Sequence, residues 1–186
     1  MNKTAWVALP VAFVLTMATA SLAQSPAADA TYLTGKDIEA MVKAKAPSGP
    51  AAAGKAPGAS DVVMSMVPAG SSNVGVSVLQ YAKGSRQING VVTTTSHSDT
   101  PEVYYVLHGS GTILTGGAID KTRESTETRL VGPSIFGAPK GAVAHKITTG
   151  DVIIVPPNMP HVVSDVTEDL AFLIIRVDSK KQLDLK

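Results

Sequence analysis

Four histidines, at positions 97, 108, 145 and 161, stand in a chain that has no cysteine. Thiolate metal sites, thiol nucleophiles and disulfide staples are therefore excluded. Two of the four sit in settings that favour metal binding. In Thr95-Ser96-His97-Ser98-Asp99-Thr100-Pro101-Glu102 a Val/Ile/Thr-rich run ends, a Pro-containing turn follows and a new run begins at Glu102. Residues flanking a tight turn become cross-strand neighbours about 5 Å apart, so the spacing predicts His97 and Glu102 on one face of a hairpin. In Val155-Pro156-Pro157-Asn158-Met159-Pro160-His161 a Pro-rich turn delivers His161 to the first position of a strand. Two imidazoles and one carboxylate with open positions form the facial arrangement of non-haem Fe(II) oxygenases, and the same set suits Zn, Mn or Ni.

Other side chains are placed to line such a site. Tyr104 shares a face with Glu102 by two-residue alternation, either as a cavity wall whose hydroxyl orients a ligand or as an ordinary core aromatic. Arg86 precedes the run that starts at Ile88, where it either meets an anionic substrate at a cavity mouth or is an exposed turn residue. His145 alternates with Val143 and Ile147 and so either points inward at substrate or is a satisfied structural histidine. His108 lies six residues beyond Glu102, roughly 20 Å along an extended strand, and cannot share an ion with it. Gly109-Ser110-Gly111 reads as a hairpin turn; with no helix to follow, it is not a phosphate loop, and no G-x-S-x-G nucleophile elbow occurs.

The elements that must position these residues are short. From Asp61 onward Val/Ile/Thr/Tyr-rich runs alternate with Gly, Pro, Asn and Asp: 62–67, 74–81, 88–95, 103–107, 112–115, 142–148, 152–155, 161–164 and 170–177. This texture predicts an all-β sandwich or barrel rather than alternating βαβ units. The polar stretch between Gly116 and Gly141 reads as a long loop holding a strand. Ahead of the barrel, Thr34 with Asp37 forms an N-cap pair, and Ile38, Met41 and Val42 recur at helical spacing to about Ala46. Pro47–Ser60, PSGPAAAGKAPGAS, reads as a linker.

The first residues follow an export pattern: Lys3, the apolar run Ala5–Thr16, and small residues up to Ala23, after which cleavage is expected. An uncleaved anchor is the rival, weakened by Pro10 and the Ser/Thr/Ala-rich end of the run. The expected organisation is thus a signal peptide over 1–23, an extension over 24–60 and a β-barrel domain over 61–186, in a periplasmic or secreted protein with no membrane span after cleavage. At 186 residues with 16 Lys+Arg against 15 Asp+Glu, the chain has one domain's worth of core and no basic stripe. An electrostatically driven nucleic-acid or anionic-membrane partner is excluded.

The arrangement around the two histidines resembles the cupin family. Its first motif is a Gly, a His-any-His pair, a Glu four or five residues after the second His and a Gly seven beyond the Glu. Here Gly90 stands one residue off that place, His97 is the second His, Glu102 follows five later and Gly109 seven after that. Gly150, Pro156, Asn158, His161 and Asp165 occupy the second motif's Gly, Pro, Gly, His and Asn places, so Pro and His are kept while a Gly and the Asn are replaced. The resemblance implies a small double-sheet jelly-roll barrel, with the short helix ahead of it, and a divalent transition metal on His97, Glu102 and His161. The first His of the pair is Thr95, so the family's three-His-one-Glu set shrinks to three ligands.

Two functions follow as expectations. One is a metal-dependent cupin enzyme acting on a small organic molecule by oxygenase, isomerase or lyase chemistry, with Thr95, Tyr104, His145 and Arg86 lining the substrate. The other is a non-catalytic periplasmic binding or sensor module with a degenerate metal site, to which low aromatic content lends some weight. A homodimer is expected in either case, since barrels of this family often pair through an outer sheet.

Overall fold

The computed structural model describes residues 30–47, 56–126 and 130–184. The expected signal peptide and most of the Pro/Gly/Ala linker lie outside them. No helix among the described residues is long and apolar enough to cross a membrane.

Helix α1 spans Gly35–Ala44. Thr34 Oγ1 accepts from the Asp37 amide while the Asp37 carboxylate accepts from the Thr34 amide, so two of the orphan N–H groups at the helix start are satisfied reciprocally. Thr34 also holds the Asp37 carboxyl below its usual range through its side-chain and backbone hydrogen bonds.

All other elements are antiparallel strands: β1 Ala59–Ala69, β2 Ser72–Tyr81, β3 Gly84–Ser85, β4 Thr94–His97, β5 Glu102–Thr115, β6 Ala118–Ser125, β7 Ser134–Lys140, β8 Val143–Thr148, β9 Val152–Val155 and β10 His161–Asp178. Two of them are long, and they explain the architecture. The C-terminal half of β10 pairs with β2, which pairs with β1, while the N-terminal half of β5 joins β10 to β9. The N-terminal half of β10 meets β4 at His161, β4 leads to β7 and β6, and the C-terminal half of β5 carries β8. Strands β5 and β10 thus belong to both layers of a curled double sheet. They turn the corner where their register slips, between Val163 and Phe172 on β10. The inward faces enclose Leu79, Tyr104, Val106, Ile113, Val163, Val166, Leu170, Phe172 and Ile174.

The corner overturns two expectations. Gly109-Ser110-Gly111 is no hairpin turn: runs 103–107 and 112–115 are one continuous strand, as are 161–164 and 170–177. Gly109 is required because a Cβ there would stand 2.1 Å from the Asp169 carbonyl, and its φ is +87°. The glycine admits close backbone approach between two paired strands rather than reversing the chain. Run 88–95 is a strand only from Thr94. Before it, Ile88 and Val91 bridge across Asn89 and Gly90, both at positive φ, so the Asn-Gly pair makes a tight turn. The stretch 116–141 holds two strands rather than one: β6 is mostly polar, and half-buried β7, Ser134-Ile135-Phe136-Gly137-Ala138-Pro139-Lys140, sets its apolar residues in succession rather than in alternation. The end of the Pro/Gly-rich segment is also structured, since β1 begins at Ala59 and the Gly58 carbonyl accepts from the Ala82 amide.

Candidate metal centre

Strand β4 ends at His97, β5 begins at Glu102 and β10 begins at His161, so all three side chains enter the interior from strand ends. The segment 98–101 is not a hairpin. Strand β4 pairs with β7, and β5 pairs with β9 and β10, so the connection crosses between sheets and brings His97 and Glu102 face to face across the barrel. The Ser98 amide to the Pro133 carbonyl and Thr100 Oγ1 to the Val131 carbonyl hold this crossing in place. On the other side the Asn158 amide donates to the His97 carbonyl at 2.7 Å, tying the turn before β10 to the end of β4. Asn158 itself sits at φ +62°, a conformation Asn tolerates better than most residues.

One nitrogen or oxygen of His97, Glu102 and His161 lies within 4.8 Å of each of the others, and all three residues are buried. Nε2 of His161 is 3.2 Å and Nε2 of His97 3.6 Å from Glu102 Oε2. Both outer nitrogens are committed. His161 Nδ1 donates to the Met159 carbonyl at 2.9 Å. His97 Nδ1 meets Ser134 Oγ at 2.8 Å, and because that hydroxyl donates to the Gly132 carbonyl, the proton in this bond comes from the ring. Each neutral ring then presents an Nε2 lone pair toward a carboxylate oxygen. Lone pairs so opposed need a positive charge among them, a proton or a metal cation. Ligand atoms about 2.0–2.2 Å from a first-row ion stand roughly 2.8–3.6 Å apart at right-angle to tetrahedral spacing, and the 3.2 and 3.6 Å separations fall within that span. Outer-nitrogen bonds to a hydroxyl and a carbonyl are also what orients metal-bound imidazoles. The donor set fits a divalent transition metal.

Glu102 is held from both sides. Tyr104 donates to Oε2 at 2.8 Å, leaving that oxygen a second lone pair for the cluster. Arg176 Nε donates to Oε1 at 2.7 Å and its terminal nitrogens bind Asp61 Oδ2 at 2.6 Å, Asp61 Oδ1 at 3.2 Å and Ser77 Oγ at 2.6 Å. Burial, the largest single effect on Glu102, favours the acid, but in the metal-free site a proton on His161 Nε2 that bonds the carboxylate and the charge of Arg176 outweigh it and hold the carboxyl well below its usual range. Burial pushes His97 down to about 4, against the pull of Glu102. Burial, then the Glu102 charge, pushes Tyr104 well above the usual phenol, so it stays a donor. Arg176 loses to burial but gains more from Asp61 and Glu102, and its pKa is raised.

The cluster opens on a cavity of about 520 Å³. Thr95, Tyr104 and Arg86 line it with the three ligands. Thr95 stands directly across from His161 in the strand register, and its Oγ1 is buried without a hydrogen-bond partner. Arg86 lies over the Tyr81 ring, 4.8 Å from its centroid, and donates to the Pro57 carbonyl. His145 is not among the residues lining this cavity. It is exposed on β8, with Nε2 at 3.1 Å from Thr115 Oγ1, although it shares a strand face with the buried Ile147. His108 is exposed and meets the Asp169 carbonyl, apart from the cluster.

Arg176 and Asp61 were not anticipated. The signal lies on β10, where Phe172, Ile174, Arg176 and Asp178 share one buried face, and a charge in that register demands a buried partner.

A curled double sheet with two imidazoles and a carboxylate converging on its interior is the arrangement that the sequence resemblance implies. The family model described as Cupin matches residues 65–184, and the chain belongs to the cupin family. Among solved structures the fold is similar to an oxalate decarboxylase from Bacillus subtilis, at 15% identity over 67% of this chain and 26% of that one, TM-score 0.40. It is similar to an oxalate oxidase, at 14% identity over 59% and 43%, TM-score 0.38, and to KdgF from Halomonas sp., at 11% over 66% and 82%, TM-score 0.39. The chain spans less than half the length of the first two. No curated protein matches the sequence.

Proposed function

We propose that this protein is an exported cupin that holds one divalent transition metal on His97, His161 and Glu102 and acts on a small organic molecule in the barrel. The observation that carries this reading is the convergence of two Nε2 lone pairs on Glu102 Oε2, with both Nδ1 atoms already donated outward. When bound, the ion supplies a Lewis acid or a redox centre with coordination positions open to substrate. The chain's own residues set the rest. Arg176 occupies Oε1, so Glu102 offers one oxygen rather than two. Tyr104 keeps its proton and holds Oε2 in line. Thr95 in place of a fourth ligand leaves a donor and acceptor hydroxyl beside His161, and apolar walls from Leu79, Val92, Ile113 and Val163 limit water.

One observation favours the second reading, a binding or sensor module without turnover. Glu102 already has two protein donors, Tyr104 and Arg176, so its charge is compensated without an ion. Pairing of two barrels is proposed through the outer face that carries Tyr105, Val152, Ile154 and Ile175, all exposed. Co(II) titration separates the two functions. Visible absorption that saturates at one equivalent and is abolished in His161→Ala supports the metal centre, whereas no saturable band leaves the module.

A further inference from the structure

The charges around the cavity point to the kind of ligand it takes. Among the described residues that line it, the full charges are Asp61, Glu102, Arg86 and Arg176. Asp61, Arg176 and Glu102 are bonded to one another in a buried chain that carries one net negative charge. Arg86 balances that charge in number, yet no carboxylate among the described residues pairs with it. With neutral imidazoles the empty cavity is neutral overall, and a divalent ion makes it doubly positive. A half-enclosed site with that excess favours an anion.

Arg86 is built to receive one. Its guanidinium sits over the Tyr81 ring and spends one donor on the Pro57 carbonyl, so among the described residues the remaining N–H groups of the fork are unused. Burial works against its charge, lowering its pKa, and only the tyrosine is near enough to oppose this. The aromatic chain Tyr81, Phe172, Tyr104 joins its end of the cavity to the carboxylate of the metal cluster, with centroids 6.4 and 5.4 Å apart. Across the strand register from His161, the Thr95 hydroxyl lines the same cavity, buried and unpartnered, a free group for a ligand oxygen.

We propose that the ligand is a small organic dicarboxylate, one carboxylate received by the Arg86 fork and the other directed to Thr95 and the His97, Glu102 and His161 centre. This rests on the metal reading above. The planar two-point fork matches a carboxylate, and the apolar walls between the two ends match a short carbon spacer.

The test uses the full chain loaded with Mn(II), its metal content measured on the same sample. Calorimetry compares α,ω-dicarboxylates from oxalate to adipate with their neutral diamides and with inorganic phosphate. At least one dicarboxylate is expected to bind tenfold or more tighter than its diamide, and Arg86→Gln to weaken it about tenfold at unchanged metal content, with Arg86→Lys intermediate. Equal affinity of acids and diamides, or an unaffected Arg86→Gln, overturns the inference while the metal centre stands. Phosphate binding tighter than every dicarboxylate also overturns it. A protein that takes up neither Mn(II) nor iron, nickel or zinc overturns both readings together.

Discussion

Replacing Arg176 by Gln tests how the buried charges are held. Arg176 and Glu102 are almost fully buried, and the substitution leaves the carboxylate facing the interior with Tyr104 as its only remaining neutral donor of those that the geometry defines. Removing one partner of a buried pair costs about 3–5 kcal/mol, and the lost hydrogen bonds to charged groups, roughly 1.5–3 kcal/mol each, are of the same order. We take about 4 kcal/mol. At roughly 2–4 °C per kcal/mol for a domain of this size, the metal-free protein should melt about 10 °C lower. Chelated wild type and variant are compared by urea unfolding and thermal melting. The double variant Arg176→Gln/Glu102→Gln removes both charges and should recover about 2 kcal/mol of the loss, which excludes a simple packing defect. A single-variant loss below about 1 kcal/mol, or a double variant as unstable as the sum of the two singles, would refute the claim that Arg176 compensates Glu102.

Acidification should destabilise the metal-free protein. Folded His97 is pushed down to about 4 from 6.5, so between those values the unfolded chain takes a proton that the folded one refuses. Stability is full above about pH 6.5 and falls by up to about 3 kcal/mol toward pH 4, with Glu102 acting in the same direction below its ordinary range. His97→Asn should flatten that slope in urea titrations repeated across pH. Thr95→Val removes the unpartnered hydroxyl at nearly constant volume and should raise metal-free stability by about 1 kcal/mol; a loss of that size would show that the hydroxyl is satisfied. Gly109→Ala should cost more than about 3 kcal/mol or yield insoluble protein, because the Asp169 carbonyl fills the space; a normal melting curve would contradict the close approach of β5 and β10.

Much of the site was legible in the sequence because its ligands sit at strand ends beside Pro-bearing segments, where residue type and spacing are most informative. His97, Glu102 and His161 came from their settings, and Tyr104 from simple alternation with Glu102. The topology was harder. Period-two alternation cannot tell a strand that bends between sheets from two strands joined by a turn, so Gly109 read as a reversal when it marks a close approach. For the same reason the crossing from β4 to β5 read as a hairpin, although it led to the same two residues. Neither the mostly polar β6 nor the Gly- and Pro-containing β7 shows the alternation of a half-buried strand. His145 shares a strand face with Ile147, but β8 buries only Ile147, and alternation does not reveal how far along a strand the inward face is covered. Arg176 was overlooked because it stands in an apolar run, though that is where an unpartnered charge is least tolerable.

Elemental analysis of the purified protein, produced without a metal-binding tag, beside His97→Ala and Glu102→Ala bears most directly on the metal centre. The account predicts about one equivalent of iron, manganese, nickel or zinc in the wild type and loss of that metal in both variants, each still folded by circular dichroism. No metal in the wild type after reconstitution, or undiminished metal in either variant, would contradict it.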